Sequence, residues 1–255
     1  MAASDARLPL LWQLEISHYS EKVRWTLDHK RVPHRRRSTL PGLHIPVALY
    51  LTHGAAITFP ILQLGDDAIA DSSAAIAALE RRHPERPLYP AEPAERRRAL
   101  ELEEYFDEQL GPATRLVAFH ELGREPERFG AVAAIAVPPP LSRAKSLLSL
   151  YGRFLTRARY GVAEEAAAAG ARGAIGAALE RIEAELAAGD GVHLVGESFS
   201  VADLTGAALF YPLVMPAGAP LPADLELPRE LELFRAELRD RPGYRWVEEI
   251  YRRYR

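Results

Sequence analysis

The segment Ser17-His18-Tyr19-Ser20-Glu21 places hydroxyl groups where a short apolar run ends and a helical pattern begins. The first amides of a helix have no partner within the helix, and its positive dipole end favours a bound anion or thiolate. A hydroxyl at this place could donate a hydrogen bond to such a thiolate. The same pattern is typical of an ordinary N-cap serine, which is the more common role. From these residues alone both interpretations stay open.

Phe59-Pro60 stands at the start of an apolar run that predicts a strand. Proline is tolerated at a strand entry because its missing N–H is not needed in the ladder. A cis bond would present the preceding backbone groups to a peptide-like ligand, although only about 5–6% of X–Pro bonds are cis. An ordinary strand entry is therefore the alternative interpretation.

Asp71 and Ser72 stand where another short strand meets a helix. A carboxylate ligand could bind the Ser72 hydroxyl and the helix amides, while Asp71 could pair with an amine. The alternative is an ordinary capping serine. Farther along, Ser200 and Asp203 form a variant capping box before an apolar helix, which we interpret as structural.

The segments that must position these residues alternate between strand and helix over the first ninety residues. Strands are predicted at Leu10–Leu14, Val32–Arg37, Phe59–Leu64 and Ala68–Ala70. Helices are predicted after Ser17 or Ser20, near Val47–Leu51, and after Asp71-Ser72. This order predicts a small mixed sheet covered by helices.

Residues 84–95 carry four prolines and predict a domain boundary. Everything after them has helical periodicity, including a last helix that Pro242 can open. We therefore expect an α/β domain over residues 1–84, a linker over 85–95 and an all-helical domain over 96–255.

Composition excludes several classes of protein. The chain of 255 residues has no cysteine, which excludes disulfides, zinc–thiolate sites and dithiol redox motifs within it. A net charge of −3 argues against a nucleic-acid partner. The most apolar stretch, residues 201–224, is interrupted by Asp203, Pro212, Pro216 and Pro220, so we expect no membrane partner. The first ten residues lack the pattern of a secretory signal, so we expect a cytoplasmic protein.

Taken together and in this order, the motifs resemble those of the soluble glutathione S-transferase family. The resemblance rests on SHYSEKVR, FPIL, ADSSAAI and FSVADL, and it covers nearly the whole chain. It implies a thioredoxin-like N-terminal domain, a C-terminal helical-bundle domain, and glutathione as co-substrate without a metal. It also implies a homodimer that acts in detoxification.

The resemblance assigns a role to each candidate residue. Ser17 matches the serine-type position whose side chain faces the glutathione sulfur, with Tyr19 as the alternative. Phe59 and Pro60 match the pair whose backbone binds the cysteinyl part of glutathione, and Asp71 and Ser72 match the pair that holds its γ-glutamyl end.

The residue that binds the glycine carboxylate is not assigned, and Arg37, His44 and His53 are the candidates. Because no cysteine can form a mixed disulfide with glutathione, the expected chemistry is thiolate activation rather than reduction. The expected enzyme adds glutathione to an apolar small-molecule electrophile held by the helical domain. The alternative is a non-catalytic glutathione- or ligand-binding module that keeps the fold.

Overall fold

The computed structural model describes residues 8–255, which form two compact units that meet in sequence between Pro87 and Leu88. Residues 1–7 lie outside the described part, and with them most of the segment used to judge the secretory signal and the start of the predicted first domain.

The N-terminal unit contains one four-stranded mixed sheet. Its strands are β1 (Leu10–Gln13), β2 (Arg35–Ser38), β3 (Ile61–Leu64) and β4 (Asp67–Ala70), in the spatial order β2-β1-β3-β4. Strand β1 is parallel to β2 and antiparallel to β3, which is antiparallel to β4. Three helices belong to this unit: α1 (His18–His29), α2 (His44–Leu51) and α3 (Ser72–Arg82).

Apolar side chains are buried on both faces of this sheet. Alternation along a strand sends Leu11 to one face, where it packs with α1 and α3, and Trp12 to the other, where it packs with α2. The first core comprises Leu11, Val23, Leu27, Val32, Leu62, Leu64, Ala75, Ala78 and Leu79. The second comprises Ala48, Phe59 and Ile61, with Trp12, Leu14, Val47 and Leu51 packed against them. The sheet is therefore the middle layer of three.

The C-terminal unit is helical throughout its regular elements. They are α4 (Pro93–Tyr105), a π-helical turn (Phe106–Leu110), α5 (Gly111–Arg124), α6 (Pro126–Ile135), a 3₁₀ turn (Leu141–Arg143), α7 (Lys145–Tyr160), α8 (Glu165–Ala188), α9 (Val201–Val214), α10 (Arg229–Leu238) and α11 (Pro242–Tyr254). Helix α9 is buried along its whole length and forms the centre of this unit.

The expected order of strands and helices is found, with shifted boundaries. Strand β2 begins at Arg35 and not at Val32, because the chain leaves α1 through a turn. In this turn Arg31 has a φ of 55° and the Val32 amide donates to the Leu27 carbonyl. Strand β3 begins at Ile61, since Pro60 has no amide hydrogen to give the ladder.

Candidate functional site

One edge of the sheet collects the three motifs of the N-terminal unit. Trp12 in β1 pairs with Ile61 in β3, and Ile61 pairs with Ala70 in β4. The chain leaves β1 toward Ser17 at this edge, enters β3 from Pro60, and leaves β4 toward Asp71. The antiparallel pairing of β3 with its two neighbours therefore brings the predicted residues to the same edge.

Ser17 is the N-cap of α1. Its backbone is extended, with φ −80° and ψ 126°, and its Oγ accepts a hydrogen bond from the Ser20 amide at 3.3 Å. A hydroxyl has two acceptor lone pairs and one hydrogen to donate, so capping leaves the donor function of Ser17 available. The side chain is partly exposed beside the amides that open the helix. Ser17 can thus serve as cap and as hydrogen-bond donor to an anion.

Tyr19 lies one residue beyond the buried His18, and their ring centroids are 4.6 Å apart. Its side chain is half-buried. Ser20 is fully buried, and its Oγ accepts from the Leu14 amide at 3.4 Å. Of the three hydroxyl residues Ser17, Tyr19 and Ser20, only Ser17 and Tyr19 retain exposed surface.

A buried polar network lies beneath Ser17. The Arg24 guanidinium donates to Glu21 Oε2 at 2.7 Å, to Gln13 Oε1 at 2.9 Å, and to the Ser17 carbonyl at 3.5 Å. Arg24 is 3% exposed and Glu21 is 0% exposed. A paired charge in this environment holds its partners rigidly, because each group would be costly to leave without a hydrogen bond. The network therefore fixes the end of β1 and the first turn of α1.

Sequence reasoning missed this network. The available signal was Gln13, a polar residue two positions after Leu11 and hence on the same buried face of β1. A buried amide needs a partner, which the structure supplies from Arg24 of α1.

The Phe59-Pro60 peptide bond is cis, and both residues are buried. The Phe59 ring lies 6.3 Å from the Trp12 ring and 5.7 Å from the His44 ring, measured between centroids. The Arg37 guanidinium lies 4.9 Å from the centroid of the Trp12 ring. Two of the three candidates for a glycine-carboxylate contact, Arg37 and His44, are thus grouped around the aromatic pair beside Pro60.

The third candidate, His53, is exposed in the turn that follows α2, where it has a φ of 52°. His44 Nδ1 accepts a hydrogen bond from the Gly42 amide at 3.0 Å. The structure therefore separates His53 from the aromatic group and includes Arg37 and His44 in it.

Asp71, and not Ser72, is the N-cap of α3. Asp71 Oδ1 accepts from the Ala74 amide at 2.9 Å, and Ser72 is the buried first residue of the helix. Asp71 has a φ of 80°, a conformation that is rare for residues other than glycine and that clusters at functional sites. Its exposed carboxylate therefore lies at the N-terminal end of α3.

Helices α1 and α3 are joined at this edge by a direct side-chain contact. Lys22 is fully buried, and its Nζ donates to Ser73 Oγ at 2.9 Å. The contact ties the first turn of α3 to α1. It therefore holds Ser17 and Asp71 in a defined relation within the unit.

The predicted capping box is confirmed in the C-terminal unit, at the start of α9. Asp203 accepts through Oδ2 from the Ser200 amide at 2.8 Å, and through Oδ1 from the Leu194 amide at 2.8 Å. Burial raises the pKa of Asp203 to about 6. These partners are backbone groups of the N-cap and of the loop that leads into α9, which supports a structural role.

Residues 8–255 contain neither a candidate metal centre nor a candidate membrane span. No group of three or more His, Asp or Glu side chains could hold a metal ion. In the same range, no helix has the length and apolar character needed to cross a bilayer.

Comparisons with known proteins agree with the geometry of the N-terminal unit. Residues 11–87 match the family model described as glutathione S-transferase, N-terminal domain. Comparison with curated protein sequences finds no match. The family-model match shows that residues 11–87 are similar to the N-terminal domain of glutathione S-transferases, while a serine-type subclass stays a prediction.

Solved structures similar to the whole chain show the same architecture. A beta-etherase from Sphingobium sp. has a TM-score of 0.61 at 19% identity, over 96% of this chain and 98% of that one. A maleylacetoacetate isomerase from Anaeromyxobacter dehalogenans, with bound GSH, has a TM-score of 0.58 at 19% identity, over 95% and 89%. A theta class glutathione S-transferase from Xanthomonas axonopodis pv. citri, with glutathione bound, has a TM-score of 0.57 at 20% identity, over 94% and 97%. The predicted fold class, a thioredoxin-like domain followed by a helical domain, is confirmed.

Proposed function

We propose that this chain is a glutathione S-transferase-like enzyme that activates the thiolate of glutathione for attack on an apolar electrophile. The observation that carries the proposal is the gathering of Ser17, Phe59-Pro60 and Asp71-Ser72 at one sheet edge. Each brings a different kind of group: a hydroxyl at a helix start, a strand-entry backbone, and a carboxylate beside a second helix start.

The chemistry needed is a lowered thiol pKa. A free thiol has a pKa of about 8.5, so only a few per cent is the nucleophilic thiolate at pH 7. Lowering this pKa by two units requires about 2.7 kcal/mol of preferential thiolate stabilisation. The Ser17 O–H and the opening amides of α1 are donors suited to supply it. Ser17 thus donates a hydrogen bond and does not itself attack the electrophile.

The remaining groups suit the rest of glutathione. The γ-glutamyl end carries an amine and a carboxylate, which match the exposed Asp71 carboxylate and the amides that begin α3 at Ser72. The backbone at Phe59 and Pro60, directly before β3, would bind the cysteinyl part of glutathione. Arg37 and His44 are the candidates for the glycine carboxylate, because they surround the Trp12 and Phe59 rings.

The other parts of the proposal rest on the similarity to glutathione S-transferases. The electrophile is expected to bind in an apolar pocket of the helical domain, and the chain is expected to act as a cytoplasmic homodimer in detoxification. Light scattering that finds only a 28 kDa species would contradict the dimer.

The test must separate two roles of Ser17, capping and donation. Ser17→Asp keeps a side-chain acceptor for the Ser20 amide but, when ionised, has no hydrogen to donate, whereas Ser17→Thr keeps both functions. We expect Ser17→Asp to fold normally and to lose conjugation of glutathione to a chromogenic electrophile by at least about tenfold, and Ser17→Thr to retain most of it. Unchanged rates in Ser17→Asp would refute Ser17 as the donor and would favour Tyr19 in that role.

A non-catalytic binding module is the second candidate. Its supporting observation is that Ser17 and Asp71 both already serve as N-caps within their own helices. Such a module would bind glutathione at millimolar concentration and leave its thiol pKa near 8.5. Titration of bound glutathione, followed by its thiolate absorbance, therefore separates the two functions.

A further inference from the structure

Helix α7 turns its large apolar side chains outward. Leu147, Leu150 and Phe154 are 70%, 69% and 71% exposed, and Tyr151 is also exposed. Their spacing of three and four residues places them on one face of the helix. A continuous exposed apolar face of this kind marks an interaction surface, because single exposed apolar residues are normal but a stripe is not.

The opposite face of α7 is lined by small residues and packs inward. Ser149 and Thr156 are buried there, and Gly152 lies so close to the Phe129 ring of α6 that a methyl group would overlap it. The inner face is therefore closely fitted to α6. The helix cannot turn its apolar face inward without losing this contact.

All the charged side chains in the segment around α7 are cationic. Residues 129–163 contain Arg143, Lys145, Arg153, Arg157 and Arg159 and no acidic residue, in a chain whose net charge is −3. Arg157 and Arg159 are exposed. A basic helix with a strong apolar face is typical of segments that lie in a membrane interface.

We propose that α7 docks on an anionic lipid surface. Leu147, Leu150 and Phe154 would enter the boundary between headgroups and acyl chains, with Tyr151 at headgroup level, while the arginines contact lipid phosphates. The helix lies in the interface and does not span it, which agrees with the absence of a membrane-spanning helix among residues 8–255.

A second copy of the chain is a poorer occupant of this face. In a two-fold symmetric dimer the same patch meets itself, which would bring the cations of the two copies together without a neutralising acid. An anionic bilayer supplies the missing opposite charge. The proposal departs from the expectation that the chain has no membrane partner, which rested on the lack of a spanning segment.

The test is co-sedimentation of the full chain with phosphatidylcholine vesicles that contain or lack phosphatidylglycerol. We expect binding to the anionic vesicles at low ionic strength, weak binding to the neutral ones, and a decrease with added salt. Phe154→Asp should reduce partitioning by roughly 10- to 100-fold, because it replaces a ring that would enter the bilayer with a charge. Arg157→Gln with Arg159→Gln should reduce it by roughly 10- to 30-fold.

Matched controls come from elsewhere in the same unit. Leu233→Asp changes an exposed leucine on α10, and Arg97→Gln with Arg239→Gln removes two exposed cations outside α7. Both controls should leave partitioning unchanged, and circular dichroism should find all variants folded, since each replaced side chain is on the surface.

Three results would overturn the proposal. The first is no binding to anionic vesicles at low salt. The second is an equal loss in Phe154→Asp and Leu233→Asp. The third is a dimer by light scattering that Phe154→Asp dissociates while vesicle binding is unchanged, which would assign the face to self-association.

Discussion

Replacing Arg24 by alanine is expected to destabilise the N-terminal unit far more than replacing a surface arginine that is also paired with a carboxylate. Arg24 is buried, and its three donors serve Glu21, Gln13 and the Ser17 carbonyl. The variant leaves the Glu21 carboxylate buried beside unsatisfied groups. Removing one partner of a buried ion pair costs about 3–5 kcal/mol in the free energy of unfolding.

The matched control is Arg36→Ala. Arg36 donates to both oxygens of Asp28, at 2.9 and 2.8 Å, but both side chains are partly exposed. An exposed pair of this kind contributes about 0.2–1 kcal/mol. Urea denaturation followed by circular dichroism should therefore find a much lower midpoint for Arg24→Ala than for Arg36→Ala.

A double variant identifies the cause. Glu21→Gln with Arg24→Ala removes the buried charge that loses Arg24 as a partner in Arg24→Ala, so it should be more stable than Arg24→Ala alone by about 1–2 kcal/mol. Equal losses in Arg24→Ala and Arg36→Ala, or no recovery in the double variant, would refute the reasoning that buried charge pairing holds the first turn of α1.

Three further variants test other parts of the structure. Burial, followed by the nearby cations, lowers the pKa of His29 to about 4, so its contribution to stability is full above pH 6.5 and is lost as pH falls toward 4. His29→Gln should flatten that decline by about 1 kcal/mol in pH-dependent urea titrations. Gly152→Ala should lower the free energy of unfolding by about 1–3 kcal/mol, because the new methyl group overlaps the Phe129 ring. Adding Phe129→Leu to this variant should recover part of the loss, as measured by thermal unfolding. Asp203→Asn should cost about 1–3 kcal/mol in urea, because an amide nitrogen cannot accept the amide hydrogens that the carboxylate receives; an unchanged midpoint would contradict the capping box.

Local signals in the sequence indicated capping residues for α1, where Ser17 and Ser20 both stayed open, and for α9. Ser17 and the Ser200–Asp203 box are caps in the structure, because a short side-chain oxygen before an apolar helical run acts within three residues. The Asp71-Ser72 pair was predicted to cap α3, but which residue serves depends on backbone conformation. Asp71 is the N-cap because its backbone adopts a positive φ, and the sequence pattern does not reveal that angle.

Features that depend on distant partners were not predictable in the same way. The contact of Gln13 with Arg24 needs the packing of α1 on the sheet, and the grouping of Arg37 with Trp12 needs the register of β1 and β2. The apolar stripe of α7 shows the same limit. Periodicity predicts that its large residues share a face, but packing of the small face against α6 decides that this stripe points outward.

The most direct test of the central proposal is the ultraviolet titration of bound glutathione, which follows thiolate absorbance against pH. The thiol pKa in the complex is predicted to lie about two units below 8.5, to rise toward 8.5 in Ser17→Asp, and to stay low in Ser17→Thr. A bound thiol that titrates near 8.5 in the unaltered chain, or a lowered pKa that survives in Ser17→Asp, would contradict thiolate activation by Ser17.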